Sequence, residues 1–395
     1  MVPNLRFKDF SLPWHKTAII DLLSFQNGIN GTPEQYGKGI KYISVGDILN
    51  NDYITYDKIV GSIDISQETL KNYSVTYGDI LFQRSSEIKE DIGRTNVYLD
   101  KDNKATFGGF VIRGKKIGDY NPAFFNVLLK SPSSRKSIVR LGAGAQHYNI
   151  GQENIKTLSF YFPEEEEQAK IANLFSKIDK RIQTQIKIIN DYKSLKKWIN
   201  DKIYSDLKCE YLSFSSVYVI AKEGGTPSTT KPEYYSGNIP FIKIDDLNKK
   251  YITENKVNIS EQGLSNSSAW IIPKNSVIMS NGATIGNVSI NTYPVSTKQG
   301  ILGIVPKDDV LTEYLYYLLN TTDFRRNLKQ VTTKGTIDCA YIKDIDHIKV
   351  KIPELEIQKS IIQILKRIDK KIELEVLILD FINKQKQYLL NNLFV

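Results

Sequence analysis

The chain has 395 residues, 41% of them hydrophobic, with a formal net charge of +9 and a pI near 9.1. That length is ample for two buried cores, and the basic balance suits a polyanion such as nucleic acid, though an AT-rich genome equally yields much Lys, Ile, Asn and Tyr. Two lone cysteines (Cys209 and Cys339), three scattered histidines, no apolar core in the first residues and no long apolar run argue against a disulfide framework, a metal cluster, a signal peptide and a membrane span, which predicts a soluble cytoplasmic protein.

Gly31-Thr32-Pro33 opens a tyrosine-containing polar loop, and residues 42–48 predict an apolar strand running into an acidic turn. Residues 78–82 predict a short strand after a turn, followed by a glycine-bearing loop at 92–94 and a turn and strand at 106–112. A helix is expected over 122–130, with Asn121 as its N-cap and Pro122 at its first position. A polar loop at 142–148 then leads to a strand ending at Pro163. Beyond it, a 4-3 alternation through Ile171, Phe175, Ile178, Ile182, Gln185, Ile189, Tyr192, Lys196, Ile199 and Ile203 marks a long helix with a coiled-coil seam.

The whole series then recurs. Gly225-Thr226-Pro227, the stretches 241–247, 275–279, 285–287 and 297–303, a helix over 312–320, a loop at 333–338 and a strand ending at Pro353 follow in the same order. The closing helix repeats 190 positions further on, without a gap, through Ile361, Leu365, Ile368, Ile372, Glu375, Leu379, Ile382, Lys386, Leu389 and Leu393. Its polar exceptions, Glu375 and Lys386, fall where Gln185 and Lys196 fall in the first copy. Gln168 matches Gln358, and Ile178-Asp179-Lys180 matches Ile368-Asp369-Lys370.

The expected fold is therefore α+β: two tandem β-rich mixed domains related by internal duplication, each followed by a long helix, the two helices pairing as an antiparallel coiled coil. The expected divisions are 1–163, 164–207, 208–353 and 354–395. About a pseudo-two-fold axis, Lys196 would face Glu375 and Gln185 would face Lys386.

Catalytic signatures are missing. There is no glycine-rich phosphate loop with its Lys-Ser/Thr. Residues 120–124 have a faint likeness to the Asn-Pro-Pro-Tyr motif of adenine methyltransferases but lack the second proline, and a helix cap explains them better. Glu87-Ile88-Lys89 has an acid-x-lysine spacing without the preceding Pro-Asp of nucleases, and Gly142-Ala143-Gly144 reads as a turn.

Two variable domains, each opened by Gly-Thr-Pro and closed by a proline and a heptad helix carrying Ile-Asp-Lys, resemble the specificity subunit of a type I restriction-modification system. The resemblance covers essentially the whole chain. It implies that each globular half is a target-recognition domain for one half of a split DNA site, with the helices as spacer. Its implied partners are double-stranded DNA, two modification (methyltransferase) subunits and, where restriction accompanies modification, two restriction (motor/nuclease) subunits, with no membrane. It implies no catalytic residue, metal or cofactor in this chain: S-adenosylmethionine, ATP and magnesium belong to the partners. Because the two halves differ in most loop residues, an asymmetric target is expected.

For DNA contact the polar and basic residues of the differing loops are the candidates, Lys and Arg for phosphates and polar or guanidinium groups for base edges. In the first half these are Arg84, Ser85, Arg94, Gln146, His147 and Tyr148; in the second, Thr226, Lys231, Tyr235, Lys243, Asn281, Lys298, Gln299, Lys334 and Thr336. Two other classes stay open on sequence alone: a coiled-coil scaffold without DNA readout, and a single-chain DNA-modifying enzyme.

Overall fold

The computed structural model describes residues 2–282, 284–333, 335 and 338–394. The chain forms two compact units, Met1–Ile186 with Leu377–Val395, and Lys187–Val376. The boundary thus falls inside both long helices, the central helix Glu165–Asp206 and the C-terminal helix Leu355–Asn392.

In the first unit a four-stranded antiparallel sheet runs Leu23–Asn27, Val111–Lys116, Ile80–Gln83, Thr95–Val97. A three-stranded mixed sheet runs Ser62–Ile63, Tyr36–Ile43, Thr106–Phe107, and a ribbon pairs His15–Ala18 with Ser159–Phe162. The second unit repeats this topology. Tyr218–Glu223, Ile301–Pro306, Val277–Ser280 and Val288–Asn291 follow in the same order, extended by Tyr251–Ile252, where the first unit has only a bridge between Ile54 and Tyr98. Its smaller sheet is Val257–Ile259, Ile239–Ile242, Ser296–Thr297, and its ribbon pairs Tyr211–Ser213 with Lys349–Lys351. The duplication inferred from sequence is a duplication of strand order.

Several sequence expectations change in detail. Within 42–48 the expected strand ends at Ile43 and the expected acidic turn is the start of a short helix, Val45–Asn50, where the Ser44 amide donates to Asp47 Oδ2 at 2.8 Å. The second unit makes the same turn with Lys243 and Asp246, at 2.8 Å. Asn121 caps the helix Pro122–Lys130 by accepting from the Phe124 amide. A further helix follows in each unit, Pro132–Val139 and Thr322–Gln330, which the sequence reading passed over although Ser131-Pro132 is a cap followed by an N1 proline. The pair Gly78/Asn275, unlike in sequence, is alike in backbone: φ is +93° and +62°, a region that Gly and then Asn enter most readily.

The duplicated glutamine has a structural task. Gln168 accepts from the Asn121 amide and donates to the Pro163 carbonyl, both at 2.9 Å. Gln358 accepts from the Leu311 amide and donates to the carbonyls of Asp309 and Pro353, each at 2.8 Å. Each thus clamps the start of a long helix to the strand before it and to a domain loop. With Gln358 fully buried, Gln358→Ala leaves main-chain groups without partners and is expected to destabilise the chain by about 1–3 kcal/mol, measured as a fall in the urea midpoint.

All twenty seam positions are buried or half-buried. In the first unit Phe175 meets Phe394 at 6.0 Å between ring centroids, and both join a core with Trp14, Phe124 and Leu390. In the second, Ile361 and Leu365 join Tyr204, Tyr314 and Leu318. Within each unit the helix segments run antiparallel, since the low-numbered part of one meets the high-numbered part of the other.

The polar register differs from expectation. Lys196 forms its ion pair with Asp369, and Glu375 is paired with Lys371 on its own helix. Lys386 forms its ion pair with Asp179, at 2.5 Å. The Asp of each Ile-Asp-Lys motif therefore receives the seam lysine of the opposite helix, because a lysine stem is long enough to follow the groove to a carboxylate flanking the seam.

Candidate nucleic-acid interface

In the first unit, strand Ile80–Gln83 delivers Arg84 to the surface. The Arg84 amide donates to the Phe110 carbonyl at 2.9 Å, and its carbonyl accepts from the Ile150 amide at 3.0 Å. Ser85–Ser86 pairs with Tyr148–Asn149, and the Ser85 hydroxyl donates to Asn149 Oδ1 at 2.5 Å. Reciprocal bonds between Ala143 and Asn149, at 3.0 and 2.8 Å, close a hairpin that carries Gln146 and His147 exposed, with Tyr148 half-buried. Five of the six first-half candidates thus converge on one surface. Arg94 does not join them: it is ion-paired with Asp91 at 2.6 Å and lines a separate cavity.

Sequence reasoning missed Phe110. It stands 66% exposed at the end of the Gly108-Gly109 turn, with Arg84 Nη1 donating to the Gly109 carbonyl at 3.4 Å. The available signal was a large aromatic after two glycines, at a place where the second copy has none.

In the second unit three loops meet. The Gly225 amide donates to the Thr297 carbonyl at 3.1 Å, the Gln299 amide to Thr226 Oγ1 at 3.3 Å and the Lys298 amide to the Ile242 carbonyl at 3.0 Å. Thr226, Lys243, Lys298 and Gln299 are therefore neighbours, and all four are exposed. Tyr235 braces the first loop through its hydroxyl, which donates to the Pro227 carbonyl at 2.7 Å. Lys231 is exposed nearby and donates to the Tyr234 hydroxyl at 3.1 Å.

Asn281, expected at the DNA-facing surface, is buried. It occupies the position equivalent to Arg84 but is 1% exposed, and its Nδ2 donates to the Ala340 carbonyl at 3.2 Å. A short amide side chain can satisfy a neighbouring main-chain oxygen and turn inward, whereas the long guanidinium at Arg84 reaches solvent. Lys334 and Thr336 lie outside the described residues; among the described ones, Thr333 and Cys339 exchange main-chain bonds at 2.9 and 3.1 Å. Among the described residues no cluster of His, Cys, Asp and Glu could hold a metal ion, and no helix is long and apolar enough to cross a membrane.

The family model described as the type I restriction modification DNA specificity domain matches twice, over residues 16–191 and 210–384. Among similar proteins, the MjaIX specificity subunit of Methanocaldococcus jannaschii is 35% identical over 167 residues, a match spanning 42% of this chain and 37% of that relative. The putative MjaX specificity subunit of the same organism is 24% identical over 96% of this chain and 92% of its own length. Among solved structures, the S subunit from M. genitalium aligns with a TM-score of 0.53 at 18% identity, covering 100% of this chain and 99% of the other. A chain from a structure of type I restriction-modification assembly and conformational transition aligns with a TM-score of 0.67 at 13% identity, covering 96% of each. With that domain present twice over most of its length, the chain belongs to the type I restriction-modification DNA specificity family.

Proposed function

We propose that this chain is the non-catalytic reader of a type I restriction-modification complex, recognising an asymmetric, bipartite DNA site and directing adenine methylation, and restriction where a nuclease is present, by partner subunits. The observation that carries this reading is one fold used twice with unlike loop tips. Where the first unit presents exposed Arg84 beside Phe110, the second turns Asn281 inward beside Gly300, with Lys298 and Gln299 exposed next to it. Identical tips would favour a palindrome; unlike tips favour two different half-sites.

In the first half-site Arg84 reads a base edge, Phe110 contacts a thymine methyl group, and Gln146, His147 and Tyr148 flank them. Lys243 and Lys298 hold phosphates in the second, with Thr226 and Gln299 toward the bases. The division 1–163, 164–207, 208–353 and 354–395 assigns two readers and two spacer helices. Modification subunits dock along those helices, where Trp198, Phe381 and Tyr388 are each about 60% exposed. S-adenosylmethionine is handled by the modification subunits and ATP by restriction subunits where these are present, with magnesium likewise bound by the partners.

The test is methylation mapping in a host carrying the cognate methyltransferase with and without this chain. A split motif with methyladenine in each half, dependent on the chain, is expected. Its absence, with the methyltransferase active alongside another specificity subunit, would favour a scaffold. In the same assay Arg84→Ala is expected to relax one half-site by about 1–3 kcal/mol of discrimination, leaving the other unchanged. A uniform loss of affinity with a salt slope smaller by about 1 would make Arg84 a phosphate contact instead.

A further inference from the structure

Within the first unit a cavity of about 300 Å³ lies among the helix Pro122–Lys130, the central helix and the last turns of the C-terminal helix. Four cations line it: Arg94, Lys130, Arg135 and Lys386. Arg94 is neutralised by Asp91 and Lys386 by Asp179. The other two bond only to main-chain oxygens: Lys130 donates to the Asp52 carbonyl at 2.7 Å, and Arg135 to those of Gly93 and Ile92 at 2.7 Å and of Glu90 at 3.0 Å. Burial, then the neighbouring Lys386, pushes the Lys130 ammonium down to about 8, against the opposing pull of Asp52 and Asp179. Burial and then Arg94 push Arg135 down to about 10. Two carboxylates, Asp52 and Asp179, line the same cavity, and Asp179 is engaged by Lys386, so four cations face two carboxylates and the excess positive charge favours a further anion.

Two further groups on the wall are unpartnered. Thr95 Oγ1 and Asn126 Oδ1 accept and donate no hydrogen bond, although the residues are only 4% and 7% exposed. The amide oxygen needs a donor, and the hydroxyl can serve either way.

The second unit shows that the fold does not require this hollow. At the position of Val127 it has Tyr317, 1% exposed, whose hydroxyl donates to Asp369 at 2.6 Å and accepts from Lys250 at 2.7 Å. Lys130 is replaced there by Asn320. A tyrosine thus fills the place that the first unit leaves open and lines with cations.

We propose that this cavity is a binding site for inorganic hydrogen phosphate, held by Lys130 and Arg135, with its P–OH donating to Asn126 Oδ1. Sulfate, fully ionised at neutral pH, offers the same acceptors but no donor, and neither does the phosphodiester of DNA. The site is independent of the DNA-reading assignment, which uses other surfaces.

The test is calorimetric titration of the full chain with sodium phosphate and with sodium sulfate at pH 7 and matched ionic strength. One phosphate per chain is expected, with sulfate at least about ten-fold weaker. Val127→Tyr, which installs the residue of the second copy, and Lys130→Gln are each expected to weaken phosphate at least about ten-fold. Circular dichroism melts identify a variant that fails to fold, in which case the other decides. No phosphate binding, equal binding of sulfate, or unchanged affinity in the folded variants would overturn the site. Displacement of phosphate by duplex DNA would overturn it in favour of a backbone contact.

Discussion

Arg6→Ala is expected to destabilise the first unit by about 3–5 kcal/mol. Arg6 makes a two-pronged pair with Glu167, Nε to Oε1 at 2.8 Å and Nη2 to Oε2 at 2.7 Å, and Glu167 is 1% exposed. Trp14 Nε1 also donates to Oε2, at 3.2 Å. Removing the guanidinium leaves a buried carboxylate without its counter-charge, which costs far more than the pair contributes beyond an apolar replacement. The same segment is tied to the end of the C-terminal helix by the Leu5 amide, which donates to the Asn392 carbonyl at 2.9 Å. Loss of Arg6 therefore loosens both helix segments of this unit. Urea unfolding of the full chain, followed by tryptophan fluorescence at Trp14, measures the effect. A shift below about 1 kcal/mol would mean that Glu167 relaxes to solvent. The duplication offers no substitute, for 190 positions on the residue is Ile357, 46% exposed.

Phe175→Ala is expected to cost about 3–5 kcal/mol as well. Phe175 is fully buried, a seam residue and a core residue at once, stacked at 6.0 Å and 40° on Phe394, which also packs on Trp14 and Phe124. The ring's removal leaves a cavity in a core that also holds Trp14, Phe124 and Phe394. Phe175→Leu, which supplies the residue of the second copy, should cost only about 1–2 kcal/mol, because Leu365 is equally buried in the corresponding core. Paired urea titrations of the two variants check this. Similar losses in both would show that ring contacts with Phe394, rather than filled volume, hold the helix to this core.

How far the sequence carries depends on the range of the interaction concerned. Seam spacing is set between residues three and four apart, so the 4-3 alternation from Ile171 and from Ile361 located both helices and their buried faces. Asn121-Pro122 marked a helix start for the same reason. Gln168 and Gln358 stood out as a repeated pair, yet their bonds to Asn121 and Leu311, 47 residues back along the chain, had no local trace. Lys196 and Lys386 were legible as seam lysines, but their partners Asp369 and Asp179 were not, since a symmetric register can be drawn several ways until long side chains are placed.

By itself, the sequence determined a duplicated α+β chain closed twice by seam helices, and it named a family whose domain model does match twice. Tertiary structure alone decided which loop residues share a surface. It brought Arg84, Ser85, Gln146, His147 and Tyr148 together with the unforeseen Phe110, sent Arg94 to a cationic cavity and turned Asn281 inward. A loop side chain points where main-chain atoms distant in sequence leave room and hydrogen bonds for it, whereas a helix face follows from its own periodicity.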